Sequence, residues 1–191
     1  MQPICLTAFV FALAMVFAVQ VPAADLSVRI ELDGSAAKVS GSFTNPAKFS
    51  NQRNLSFLSS IAGVAPPPER LSDVTLSDDA GRKAEVRRLT DTEFLALSPY
   101  SEWSYRVELK PPANINAYAH FSWIDQQAGI LMLRDLLPDM ATGTSAKVEL
   151  IAGQKVVTSA KLLGGNVFDV NDVGNAMFYL TSASAYKKEW S

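Results

Sequence analysis

The sequence has 191 residues, 48% of them hydrophobic and 19% charged, with 17 basic against 19 acidic side chains and a single cysteine. That composition excludes a disordered chain, a collagen-like repeat and a disulfide-stapled miniprotein. A formal charge of −2 supplies no concentrated basic face, so nucleic acid is not an expected partner.

Residues Ile4 to Val21 form a nearly unbroken apolar run, and no charge precedes Asp25. The run ends in Val21-Pro22-Ala23-Ala24, whose small residues suit signal-peptidase cleavage near Ala23 or Ala24. Residues 1–24 therefore read as a signal peptide and 25–191 as one mature domain, exported to the periplasm or secreted. The rival reading is an uncleaved anchor, since the run approaches spanning length and no Lys or Arg flanks it. After cleavage no membrane contact is expected. Cleavage also removes Cys5, which lacks a lipoprotein context, so the mature chain holds neither thiol nor disulfide.

From residue 25 onward the pattern is period-2. Leu26, Val28, Ile30 and Leu32 alternate with Ser27, Arg29, Glu31 and Asp33 before a turn at Gly34-Ser35. Leu71 to Leu76 and Lys83 to Leu89 flank Asp78-Asp79-Ala80-Gly81, a hairpin signal with glycine where a positive φ is needed. Asp91 to Ser98 suits a turn or two of helix. Trp103, Tyr105, Val107 and Leu109 alternate with polar residues until Pro111-Pro112. Tyr118 to Ile124, Ile130 to Leu133, Lys147 to Ile151 and Lys155 to Leu163 continue the series, and Phe168 and Met177 to Leu180 close it. Asp135-Leu136-Leu137-Pro138 suits a short helical turn. The expected fold class is all-β, an antiparallel β-sandwich or open barrel with few short helical turns. Pro66-Pro67-Pro68 reads as a rigid loop within one domain.

Chemistry-bearing clusters are sparse. His120 is the only histidine and sits in a strand-like stretch, whereas an HExxH zinc site needs two imidazoles one helical turn apart. It reads as a structural or surface residue. No Gly-x-Ser-x-Gly elbow supports a serine triad. Asp78-Asp79 and the Asp169–Asp172 stretch read as turn carboxylates, because Asp bonds its own backbone in turns and no complete calcium loop surrounds them. Trp103, Tyr105, Tyr118 and Trp123 offer an aromatic platform for a sugar or peptide. Their parity suits the core better. Asn54-Leu55-Ser56 matches a glycosylation sequon. The tail Tyr186-Lys187-Lys188-Glu189-Trp190-Ser191 ends without a terminating turn.

Several stretches in order resemble the N-terminal domain of secreted glycyl aminopeptidases, zinc enzymes with a thermolysin-like catalytic domain and often a PDZ domain. They are Leu55-Ser56-Phe57-Leu58-Ser59-Ser60-Ile61-Ala62-Gly63 with Glu69-Arg70-Leu71, then Asp79-Ala80-Gly81-Arg82, then Trp103 through Leu109. The most specific are Ala119-His120-Phe121-Ser122-Trp123-Ile124, Gly129-Ile130-Leu131-Met132-Leu133 and Asp135-Leu136-Leu137-Pro138. The likeness runs from about Asp25 to Val170. It implies a β-sandwich packed beside a catalytic domain that carries the HExxH zinc site, and none of the matched positions is a zinc ligand or base.

The resulting expectation is a non-catalytic exported domain, truncated or stand-alone, that supports or covers a metallopeptidase catalytic domain or peptide. It brings no cofactor of its own, zinc belonging to the absent catalytic domain. Interface candidates are Trp103, Trp123, Leu136 and Leu137, with an apolar face left for the partner. The alternative is an extracellular glycan- or peptide-binding module using Trp103 or Trp123. A third reading, a self-sufficient hydrolase, requires Asp169, Asp172 or Glu149 to converge in one pocket.

Overall fold

The computed structural model describes residues 24–45, 47–66, 69–111, 113 and 120–181. Cys5, Tyr118, the tail from Tyr186 and all of the leader but Ala24 lie outside the described residues. Among the described residues the strands are β1 (Leu26–Asp33), β2 (Ala36–Phe43), β3 (Asn54–Ser56), β4 (Leu71–Ser77), β5 (Val86–Arg88), β6 (Glu93–Ala96) and β7 (Glu102–Glu108). They continue as β8 (Trp123–Ile124), β9 (Ala128–Met132), β10 (Ala146–Ile151), β11 (Lys155–Val157), β12 (Lys161–Gly164), β13 (Val167–Val170) and β14 (Met177–Thr181). One short helix, α1 (Leu133–Leu136), and 3₁₀ turns at Asp139–Ala141 and Val173–Asn175 interrupt them. The fold is all-β, as its alternation implies.

Three sheets form. A seven-stranded sheet runs β12-β13-β10-β1-β2-β7-β4, a four-stranded sheet β11-β14-β9-β8, and a three-stranded sheet β3-β6-β5. The large sheet is open, with β12 and β4 at its edges, so no barrel closes. Its inward face is the alternate set the sequence marks: Leu26, Val28 and Ile30 of β1, Trp103, Tyr105 and Val107 of β7, and Ala146, Val148 and Leu150 of β10 are buried. The two small sheets cover that face. Phe178 of β14 meets Phe168 of β13 at 5.1 Å between ring centroids, and Phe57 meets Tyr105 at 4.8 Å. The layers make a sandwich-like core.

Close packing depends on one glycine. A Cβ at Gly41 of β2 would lie 2.4 Å from the Trp103 indole, so only glycine lets that ring lie over the strand.

Several expectations change. β1 pairs antiparallel with β2 but parallel with β10, which makes the large sheet mixed. A parallel pair needs a long crossover, and period-2 alternation carries no information about strand direction. Residues Asp91 to Ser98 hold strand β6, paired with β3 and β5, not a helical turn. The Asp78–Gly81 turn does form, with Gly81 at φ +74. Beyond the Ser77–Lys83 bridge, however, the chain leaves β4 and builds β5 in another sheet. Lys155 to Leu163 splits into β11 and β12 in different sheets, the Thr158 hydroxyl donating to the Met177 carbonyl at 2.7 Å in between. Of Tyr118 to Ile124, only Trp123 and Ile124 are strand among the described residues, and Leu133 belongs to α1.

Candidate docking face

A buried ion pair locks the layers together. Arg70 grips Asp135 bidentately, Nη1 to Oδ1 at 2.7 Å and Nη2 to Oδ2 at 3.1 Å, with the two side chains 7% and 4% exposed. The remaining guanidinium donors reach the Glu108 and Ser122 carbonyls at 3.4 Å, and the Phe121 ring lies 5.8 Å away. Asp135 also accepts the Ser122 amide at 2.7 Å. Each charge therefore meets an opposite charge and additional hydrogen bonds, the condition under which a buried pair is tolerated. Beside it the Tyr105 hydroxyl donates to the Leu136 carbonyl at 2.6 Å. Burial foremost, then the charge of Asp135, pushes the Tyr105 phenol well above its ordinary range.

Three stretches that carry the family resemblance meet here: Glu69-Arg70-Leu71, the segment around Phe121-Ser122, and Asp135-Leu136-Leu137-Pro138. Their meeting is structural. Leu136 and Leu137 are 0% and 1% exposed, so they anchor α1 in the core and present no interface. A cavity of about 590 Å³ adjoins the pair, with Phe57, Leu58, Leu71 and Val107 among its apolar walls and Glu93 among its acidic ones. Its charged floor is already occupied by the Arg70–Asp135 contact.

Trp103 is likewise a core residue, 3% exposed, its ring tilted at 48° against Phe43 with centroids 4.9 Å apart. It is removed as a platform for sugar or peptide. Trp123 differs: it is half-buried and lies on the outward face of the four-stranded sheet.

That outward face is apolar apart from one end row, where Lys155 pairs with Thr181 and Thr181 with Ala128. Val157 of β11 pairs with Tyr179 of β14, Tyr179 with Ile130 of β9, and Ile130 with Trp123 of β8. Residues directly opposite across a ladder share a face, with Cβ atoms ~4.5–5.5 Å apart, so these four side chains form one continuous row. Met177 and Met132 pair in the next row. The alternate residues Phe178, Leu180, Leu131 and Ile124 point inward and are buried. Val157, Met177 and Tyr179 are 40%, 41% and 49% exposed, while Ile130, Met132 and Trp123 are half-buried. Gly129 permits this tight pairing, since a Cβ there would sit 3.0 Å from the Trp123 carbonyl and 3.1 Å from Ile124.

Except for Trp123, sequence reasoning missed these residues. A signal existed: Met177-Phe178-Tyr179-Leu180 and Ile130-Leu131-Met132 have no polar alternate, the mark of strands apolar on both faces.

The carboxylates proposed for hydrolysis do not converge. Glu149 accepts from Arg29 at 2.9 Å on the outward face of the large sheet, and Asp172 caps a 3₁₀ turn by accepting the Gly174 amide at 2.8 Å. Asp169 lies on β13 opposite Lys147 and Lys161. Asp78 accepts the Ala80 and Arg82 amides as a turn residue should, and the Arg82 amide, foremost, holds its carboxyl below the usual range. His120 is half-buried and lines a small hollow with Arg134 and Met132. Among the described residues no group of three or more His, Cys, Asp or Glu is placed to hold a metal ion, so these donors do not fit zinc.

No family model matches the sequence, and no curated protein matches it. Solved structures do. The chain is similar to an aminopeptidase N family protein from Idiomarina loihiensis, with a TM-score of 0.59 at 14% identity, over 82% of this chain and 29% of that one. It also aligns with yeast LTA4 hydrolase in complex with bestatin at 11% identity, over 82% of this chain and 28% of that one, with a TM-score of 0.35 that carries no weight. At such identity the first likeness is one of fold, and this chain spans less than a third of that neighbour's length.

Proposed function

We propose that this chain is the non-catalytic, exported accessory domain of a zinc metalloaminopeptidase of the glycyl aminopeptidase type. The outward face of its four-stranded sheet packs against the unit that carries the zinc. The observation that carries this reading is the apolar row Val157–Tyr179–Ile130–Trp123 with Met177 and Met132 beside it. A contiguous exposed apolar surface marks a place of contact. The fold similarity to part of an aminopeptidase N family protein supports the choice of partner class. Zinc belongs in this reading to the catalytic unit, whether on the same polypeptide or on another.

The test is site-specific photo-cross-linking in the native host, with benzoylphenylalanine placed at Tyr179 on the apolar face or at Ser40 on the large sheet. The expected result is an adduct from position 179 into a zinc metallopeptidase unit and little from position 40. Adducts from position 40 alone, or adducts from 179 only into proteins that are not peptidases, would contradict it.

A further inference from the structure

We propose that one end of the apolar face is a socket for a carboxylate side chain, so that the partner's contact segment carries a Glu or Asp flanked by apolar residues. The inference deepens the docking-face reading and rests on it for the direction of approach. A hollow of about 150 Å³ lies between β9, β14, α1 and the Val173–Asn175 turn, lined by Ile61, His120, Met132, Arg134, Asn175 and Met177 among others. A cavity of ~150 Å³ holds a benzene-sized group, which is the scale of one side chain and far below that of a cofactor or a helix. Met132 and Met177 belong both to this hollow and to the outward row of the sheet, so socket and face are continuous.

The hollow is cationic. Arg134 is exposed and forms no ion pair among the described residues. The carboxylate next to it in sequence, Asp135, also lines the hollow, but its oxygens are occupied by Arg70 and the Ser122 amide. The charge of Arg134 reaches Asp139 without forming a bridge to it. A guanidinium offers forked donors suited to a carboxylate. Met132, Met177 and Ile61 supply adaptable apolar walls for the methylene stem that carries such a group. A sugar would require several hydrogen-bonding side chains along the face, and the row Val157–Tyr179–Ile130–Trp123 offers mainly apolar surface.

The experiment uses the ¹⁵N-labelled full chain titrated with two probes, the peptides N-acetyl-Leu-Glu-Phe-amide and N-acetyl-Leu-Gln-Phe-amide. The expected result is chemical-shift change at Met132, Arg134, Asn175 and Met177, with the Glu peptide bound about tenfold more tightly than its Gln counterpart. Arg134→Gln should erase that preference, and Arg134→Lys should keep part of it; the position is exposed, so the fold is retained. Equal binding of the two peptides would overturn the proposal. So would shifts confined to the larger cavity near Phe57, self-association through the face in place of peptide binding, or no shift up to about 10 mM peptide. The two proposals fail separately. Cross-links from position 179 into a protein other than a peptidase remove the accessory-domain reading and leave carboxylate recognition standing. A captured peptidase unit with equal peptide binding does the reverse.

Discussion

Two sheets close over the same core, and their outward faces have opposite chemistry. Across the seven-stranded sheet the rows read Lys147, Ser27, Ser42, Glu102, Ser77 and Glu149, Arg29, Ser40, Ser104, Thr75. Every one of those side chains is polar and Arg29 pairs with Glu149, although Val167 continues the second row beyond Glu149. Across the four-stranded sheet the corresponding row is Val157, Tyr179, Ile130 and Trp123. A strand that faces solvent on one side is complete with a polar outer half. Leaving the outer half apolar forfeits ~25 cal/mol for each Å² kept in water, a loss that only burial against something else recovers. The contrast therefore separates a face meant for water from a face meant for contact.

The largest expected effect concerns what holds α1 behind the apolar sheet. Asp135→Ala leaves the Arg70 charge buried and unpaired, which costs about 3–5 kcal/mol in denaturant unfolding. Replacing both partners, Arg70→Met with Asp135→Leu, should recover most of that loss. A cost for Asp135→Ala below about 1 kcal/mol, within the range of an exposed pair, would mean that the bridge does not hold the layers.

Next come the glycines that set the two sheets. Gly41→Ala drives a Cβ into the Trp103 indole at 2.4 Å and should cost about 1–3 kcal/mol. Gly129→Ala meets its neighbours at 3.0 Å and beyond and should cost less. Thermal unfolding of the two variants checks the order, and a reversed order would contradict the packing described for β2.

A smaller effect concerns the start of β1. Asp25 accepts from Lys48 at 2.9 Å and from the Ser145 amide at 3.1 Å, and these bonds, the Lys48 one foremost, hold its carboxyl below the usual range. A carboxyl with a lowered folded-state pKa stabilises the fold above its unfolded value of ~3.9, and the gain disappears as pH falls through the folded value. Asp25→Asn should accordingly lower the melting temperature near neutrality and flatten its decline below about pH 4. Parallel melting curves for the two proteins at every pH would refute this.

The smallest stability effects belong to the faces themselves. Tyr179→Lys and Ser40→Lys should each change stability by less than ~0.5 kcal/mol, as exposed substitutions do. Only Tyr179→Lys should reduce the binding of a hydrophobic dye such as ANS. Equal dye binding by both variants would erase the distinction between the faces.

The sequence revealed the large sheet better than the small ones. Trp103, Tyr105 and Val107 on β7, like Leu26, Val28 and Ile30 on β1, alternate cleanly because one side meets water. Alternation assigns faces but not partners, so neither the parallel β1–β10 pair nor the separation of β11 from β12 was legible. Segment Glu93–Ala96 is a short strand whose polar flanks mimic a helix start; one partner, β5, is its hairpin neighbour and the other, β3, lies about 40 residues upstream. The Arg70–Asp135 pair joins positions 65 residues apart, which no local pattern can signal. Trp103 and Trp123 looked equivalent in their strands. Packing distinguishes them, since Gly41 opens a bed for the first indole while the second lies on the outward row beside Ile130.

Hydroxyl-radical footprinting tests the central claim most directly, because the apolar face carries the most oxidisable side chains: Trp123, Met132, Met177 and Tyr179. Oxidation of the purified chain is compared with that of the same chain in its native assembly. The account predicts strong protection of Met177 and Tyr179 in the assembly, with peptides of β2 on the large sheet unchanged. Equal oxidation of Met177 and Tyr179 in both states, or protection confined to β2, would contradict it.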